Sequence, residues 1–157
     1  MTTHTDQDSS VRSSIHVAVP PERAFEVFTS GIDTWWIREH HLLPGELKEV
    51  GIDPHEGGRL WEQNDAGEVC AWGRVLTWDP PRTFAFAWLI GTDWQPPAPD
   101  APSSRVTVTF TPTDTGTQVD LVHDRLDAHG PGWPGMRASV AGEGGWPTLL
   151  QRYGAAV

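Results

Sequence analysis

The side chains of this chain with chemistry to offer are seven histidines, a single cysteine and an excess of carboxylates. His40, His41 and His55 lie near Glu39 and Glu56, a set that invites a metal reading. Helical metal sites place ligands at i, i+3 or i, i+4, and adjacent histidines cannot share one face. These residues therefore read as solvated loop histidines, and no metal is expected. His123 and Asp124 could form an acid–base pair, but strand neighbours point to opposite faces, so Asp124 cannot easily support His123. His123 shares a face with Val119 and Leu121. It is either a core histidine with its hydrogen bonds satisfied or the polar anchor of an apolar pocket. Cys70 has no second cysteine to pair with and no local activating pattern, and reads as a buried inert thiol. Ser103, Ser104 and Ser139 sit in no nucleophile elbow. The paired glycines Gly57-Gly58 and Gly144-Gly145 lack the spacing and the lysine of a phosphate loop, so no nucleotide and no other cofactor is expected. Most carboxylates fall in turns or on outward helix faces, where they serve solubility.

What remains unusual is nine tryptophans. An indole is bulky and its N–H wants a partner, so these rings should line a core or a cavity. Trp36, Trp61, Trp88 and Trp146 are the candidates for cavity walls. Trp35 and Trp36 are adjacent, and on a helix only one of them could point fully inward.

These residues need elements to position them. Residues 1–10 are polar and unpatterned and read as a disordered tail, with a single domain over residues 11–157. Ile15, Val17 and Val19 alternate as in a strand. Pro20-Pro21 stops that strand, and Pro21 suits the first turn of a helix carrying Ala24, Phe25 and Phe28, which Gly31 ends. A second short helix is expected over residues 33–39. Strands follow at residues 59–63, 68–78, 83–90, 105–111 and 117–125, joined by turns such as Asn64-Asp65-Ala66-Gly67. Short connections of this kind argue an antiparallel meander. Phe84, Phe86, Trp88 and Ile90 share one strand face. Ala71, Gly73, Ala85 and Ala87 would allow close backbone approach or leave volume free. Glycines break the chain after residue 127, a short helix fits residues 136–141, and a terminal helix beginning near Gly145 carries Trp146, Leu149, Leu150 and Tyr153.

Composition narrows the function. The 157 residues suit one domain, and 38% hydrophobic with 20% charged residues is globular. A formal net charge of −10, with Lys48 the sole lysine, disfavours nucleic acid and anionic membranes as partners. With no apolar run of membrane-spanning length and no signal-peptide pattern, a cytoplasmic location is expected.

The ordered set Val19-Pro20-Pro21-Glu22-Arg23-Ala24-Phe25, Trp35-Trp36, Gly57-Gly58, Gly73-Arg74-Val75, Trp78-Asp79-Pro80-Pro81-Arg82, Phe86-Ala87-Trp88 and Gly145-Trp146 carries a resemblance. Over residues 13–153 the chain resembles the heat-shock-protein-90 ATPase activator homologue family, within the START and birch-pollen-allergen-like (SRPBCC) superfamily. The Pro-rich loop around Trp94 and the Gly-rich stretch 127–144 depart from its pattern. The resemblance implies an α+β helix-grip fold, a curved antiparallel sheet of six or seven strands holding a C-terminal helix with a cavity between them. The expected function is binding of an apolar or aromatic small molecule. The expected walls are Phe28, Trp36, Trp61, Phe86, Trp88, His123, Trp146 and Leu149. Two alternatives stay open: a protein-partner module like the chaperone activator, and an enzyme of the polyketide aromatase, cyclase or hydrolase type. No catalytic set is visible in the residues, which leaves binding as the first reading.

Overall fold

A computed structural model describes residues 9–37, 41–98 and 100–157. Seven strands form one antiparallel sheet: β1 (Val11–Val17), β2 (Leu47–Ile52), β3 (Arg59–Asn64), β4 (Val69–Asp79), β5 (Thr83–Trp88), β6 (Ser104–Thr113) and β7 (Gly116–Asp124). Their spatial order is β1-β7-β6-β5-β4-β3-β2, so β2 to β7 run as a meander and β1 adds to the far edge. Helix α1 (Pro21–Thr29) follows β1; α2 (Trp133–Ala141) and the C-terminal α3 (Trp146–Ala156) follow β7. This is the helix-grip α+β architecture anticipated above. No helix among the described residues is long and apolar enough to cross a membrane.

Alternation builds the inner face. Phe84, Phe86 and Trp88 of β5 lie opposite Val108, Val106 and Ser104 of β6, and Val106 lies opposite His123 of β7. Against that face α3 presents Trp146, Leu149, Leu150 and Tyr153, all buried. Their i, i+3, i+4, i+7 spacing is one helical stripe. The Tyr153 hydroxyl donates to the Ala24 carbonyl at 2.8 Å, tying α3 to α1. Gly145 opens α3 because nothing larger fits: a Cβ there would lie 2.3 Å from the Val140 carbonyl oxygen.

Three features differ from the sequence reading. Strand β2 was not anticipated. Its inward pattern is broken by a bulge between Leu47 and Glu49, and only Val50 is fully buried. The helix expected over 33–39 is a single 3-10 turn, Ile32–Thr34, and residues 38–40 lie outside the described residues. Released from helical geometry, Trp35 and Trp36 both turn inward, at 1% and 9% exposure. Of the polar N-terminal stretch, residues 1–8 lie outside the described residues. Ser9 and Ser10 are anchored: the Ser9 hydroxyl donates to Asp127 at 3.0 Å, and Arg137 donates to the Ser10 carbonyl at 3.1 Å.

Candidate functional site

Sheet and helices part at the N-terminal end of α3, leaving a cavity of about 440 Å³. Trp88 and Ile90 at the end of β5 form one wall, and Trp146, Leu149 and the Gly144-Gly145 turn form another. Trp36 and Ile37 close it from the segment after α1, with His41 and Leu42 beside them. Trp94, from the Pro-rich loop, and Ser139 and Glu143 stand exposed at its rim.

The indole walls are held rigidly. Trp36 stacks on Trp72 of β4 with centroids 5.0 Å apart, and meets Trp146 edge-on at 6.3 Å. Trp88 packs edge-on against Trp72 at 5.7 Å and against Trp146 at 5.8 Å. Arg152 of α3 donates to the Trp35 and Trp36 carbonyls at 2.9 and 3.4 Å, pinning the segment that carries Trp36. The adjoining loop is held by a buried acid: the Glu62 carboxylate accepts the Leu42 and Leu43 backbone N–H groups at 2.9 Å.

Behind the Trp146 wall runs a hydrogen-bonded chain with one direction. Trp146 Nε1 can only donate, and it does so to His123 Nδ1 at 3.0 Å. His123 is neutral as drawn by this contact, so its proton sits on Nε2, which donates to Ser104 Oγ at 2.7 Å. Ser104 in turn donates to His129 Nε2 at 2.8 Å. Burial above all, helped by His129 and opposed by Asp124, pushes the His123 imidazole down to about 3. Burial lowers His129 as well. Asp124 points away and pairs with Arg105 at 2.7 Å, as strand alternation requires.

A histidine lowered on folding stabilises the native state above its unfolded value of 6.5, and that contribution drains away as pH falls from 6.5 toward 3. The unfolded chain takes up the proton first. Between pH 7.5 and 5 the loss expected from His123 is about 2 kcal/mol. Denaturant melts at the two pH values should show it, and His123→Gln should flatten the difference. An unchanged pH slope in that variant would remove His123 from this role.

Of the eight residues proposed as walls, four line the cavity: Trp36, Trp88, Trp146 and Leu149. His123 does not. It is fully buried behind Trp146, with both ring nitrogens hydrogen-bonded. Phe28 and Phe86 face inward but belong to the filled end of the core, Phe28 among Trp35, Phe110 and Tyr153, Phe86 between Trp72 and Phe84. Trp61 faces the other side of the sheet. Its neighbours Leu60 and Glu62 are buried, while its ring lies across Gly51, where a Cβ would come within 2.3 Å, and its N–H donates to Asp53 at 3.2 Å. Sequence reasoning passed over Trp72, although its period-two spacing from buried Cys70 marks the inner face of β4. It also passed over the loop residues His41, Leu42 and Trp94, for which periodicity offers no signal. Burial, with a contribution from nearby Glu62, raises the Cys70 thiol to about 11, in keeping with an inert role. His41 lies at the cavity and His55 on an exposed turn bonded to the Glu56 carbonyl; Glu39 and His40 lie outside the described residues.

Comparison with known proteins places this geometry in a family. The family model described as Activator of Hsp90 ATPase homolog 1-like protein matches residues 18–155. No curated protein matches the chain. Among solved structures, the anthrahydroquino-gamma-pyrone synthase Txn09 is 36% identical, with 94% of this chain and 96% of that one covered and a TM-score of 0.67. The self-sacrificing resistance protein CalC from Micromonospora echinospora is 29% identical over 95% of this chain and 94% of its own, with a TM-score of 0.66. A Mesorhizobium loti protein at 22% identity, covering 93% and 94% with a TM-score of 0.65, shares the fold. The chain therefore belongs to the Activator of Hsp90 ATPase homolog 1-like protein family, with the helix-grip fold of the SRPBCC superfamily.

Proposed function

We propose that the cavity binds a flat, fused-ring aromatic small molecule. The observation that carries this reading is the wall itself: Trp36, Trp88 and Trp146 stand around one space of about 440 Å³, and Trp94 stands at its rim. That volume falls among small-molecule sites, about 300–1,000 Å³. Indole faces held at fixed angles favour rings that stack or meet edge-on over flexible chains. The name of the 36% identical relative points the same way, because it describes a synthase of a fused-ring aromatic product.

Burying one ring of about 150 Å² supplies roughly 4 kcal/mol before ordering costs, so a ligand of several fused rings is needed for useful affinity. The test is intrinsic fluorescence titration with flat polycyclic aromatics alongside fatty acids and saturated ring systems of similar volume. Saturable quenching is expected for the flat set at micromolar concentrations, weakened at least about tenfold in Trp36→Ala, since that ring supplies one wall. Tighter binding of fatty acids than of any flat ring would overturn the reading.

A second reading, an enzyme that transforms the bound ring, draws on the word synthase in that relative's name and on His41, Ser139 and Glu143 along the cavity. Chromatography of the tightest ligand after incubation decides between them. A new product absent from Glu143→Gln supports catalysis, and a ligand recovered unchanged leaves binding alone. The partner-module reading has only the family description and the acidic balance behind it.

A further inference from the structure

One imidazole at the cavity is oriented by a turn that a buried acid holds in place. The Glu62 carboxylate, 4% exposed, fixes this turn through the Leu42 and Leu43 backbone N–H groups. The Leu43 carbonyl of the same turn lies 2.8 Å from His41 Nδ1. A carbonyl can only accept, so Nδ1 carries a proton and donates. In the neutral ring the free lone pair then sits on Nε2, because the bond made by one ring nitrogen sets the tautomer of the other. Nε2 has no hydrogen-bond partner among the described residues. With Nδ1 turned back onto its own loop, Nε2 lies on the part of the ring directed away from that loop, and His41 stands half-buried at the cavity. Apart from the indoles, the other polar side chains among the described lining residues are Ser139 and Glu143, both exposed to solvent.

We propose that His41 Nε2 is the specificity-determining acceptor of this cavity, and that the ligand is a hydroxylated flat aromatic whose phenolic O–H donates to it. This deepens the aromatic-binding reading and rests on it. The fused rings lie among Trp36, Trp88 and Trp146 while the hydroxyl meets the half-buried imidazole. A phenol is a stronger donor than water, so exchanging water at Nε2 for the ligand hydroxyl is favourable, whereas an unsubstituted ring edge leaves the acceptor unmet. The turn held by Glu62 orients the imidazole before a ligand arrives, which keeps the ordering cost of that contact small.

The probes are 9-phenanthrol and phenanthrene, the same fused ring system with and without a hydroxyl. Phenanthrene is the more apolar, so desolvation alone favours it, and a preference for the phenol has to come from a polar contact. Calorimetric titration of the wild type is expected to show 9-phenanthrol bound about tenfold more tightly, the size of one net hydrogen bond. His41→Phe keeps a flat ring and removes the acceptor, so the preference should vanish while phenanthrene affinity stays within about threefold. Ser139→Ala and Glu143→Gln should leave the preference intact. Imidazole nitrogen-15 NMR of the wild type decides the matter even where His41→Phe disturbs the loop: the His41 Nε2 resonance should move upfield with 9-phenanthrol and not with phenanthrene. Equal binding of the two probes, an unmoved His41 Nε2 resonance, or a phenol preference that survives His41→Phe or is lost in Ser139→Ala or Glu143→Gln overturns this proposal and leaves the aromatic pocket standing. Failure of the wild type to bind either probe overturns both.

Discussion

Trp146→Ala is expected to lower unfolding free energy by about 4–5 kcal/mol, the top of the range for removing a buried tryptophan. Two losses combine. The ring is 1% exposed and packs against Trp36, Trp88 and His123, so its removal opens a void at the junction of helix and sheet. The same change takes away the proton donated to His123 Nδ1, leaving a buried acceptor unmet at the head of the chain to Ser104 and His129. Trp146→Phe keeps most of the volume and removes the donor, so it should cost about 2 kcal/mol and separate the two contributions. Denaturant melts of the three proteins measure both. A loss below about 1 kcal/mol for the alanine variant would mean that Trp146 is not the packed wall described here.

The neighbouring indole should behave differently. Trp88→Ala is expected to cost about 3 kcal/mol, the low end of the same range, because one side of the ring borders a void that already exists. Ligand affinity should instead fall at least about tenfold, since the variant loses an aromatic wall of the cavity. Comparing the two alanine variants is informative because both rings are nearly inaccessible, at 1% and 5% exposure, and they are packed against each other. Stability loss equal to that of Trp146→Ala, with binding retained, would mark Trp88 as filled core.

Why some of this was legible in the sequence and some was not follows from particular strands. Phe84-Ala85-Phe86-Ala87-Trp88 alternates large and small with period two, and Trp146-Leu149-Leu150-Tyr153 repeats with helical period, so both inner faces could be read directly. β3 misleads because its polarity runs against its placement. Glu62 and Asn64 face inward, where backbone N–H groups and the Pro44 carbonyl satisfy them, while Trp61 packs outward over Gly51. A pattern-based reading assigns the tryptophan to the core side. Phe28 and Phe86 were placed on the right face, but alternation says nothing about which end of a helix–sheet interface is filled and which is open. That depends on where α2, the Pro-rich loop and the segment after α1 converge, a long-range fact that local periodicity does not hold. His123 shows the same limit. Its strand face was readable, and its burial behind Trp146 follows only from where α3 docks.

The most direct test of the aromatic-pocket account is a crystal structure of the protein grown with a flat polycyclic aromatic. The account predicts electron density for the flat ring inside the cavity, among Trp36, Trp88 and Trp146. A ring bound elsewhere on the molecule, or a cavity collapsed onto itself in crystals saturated with the ligand, would contradict it.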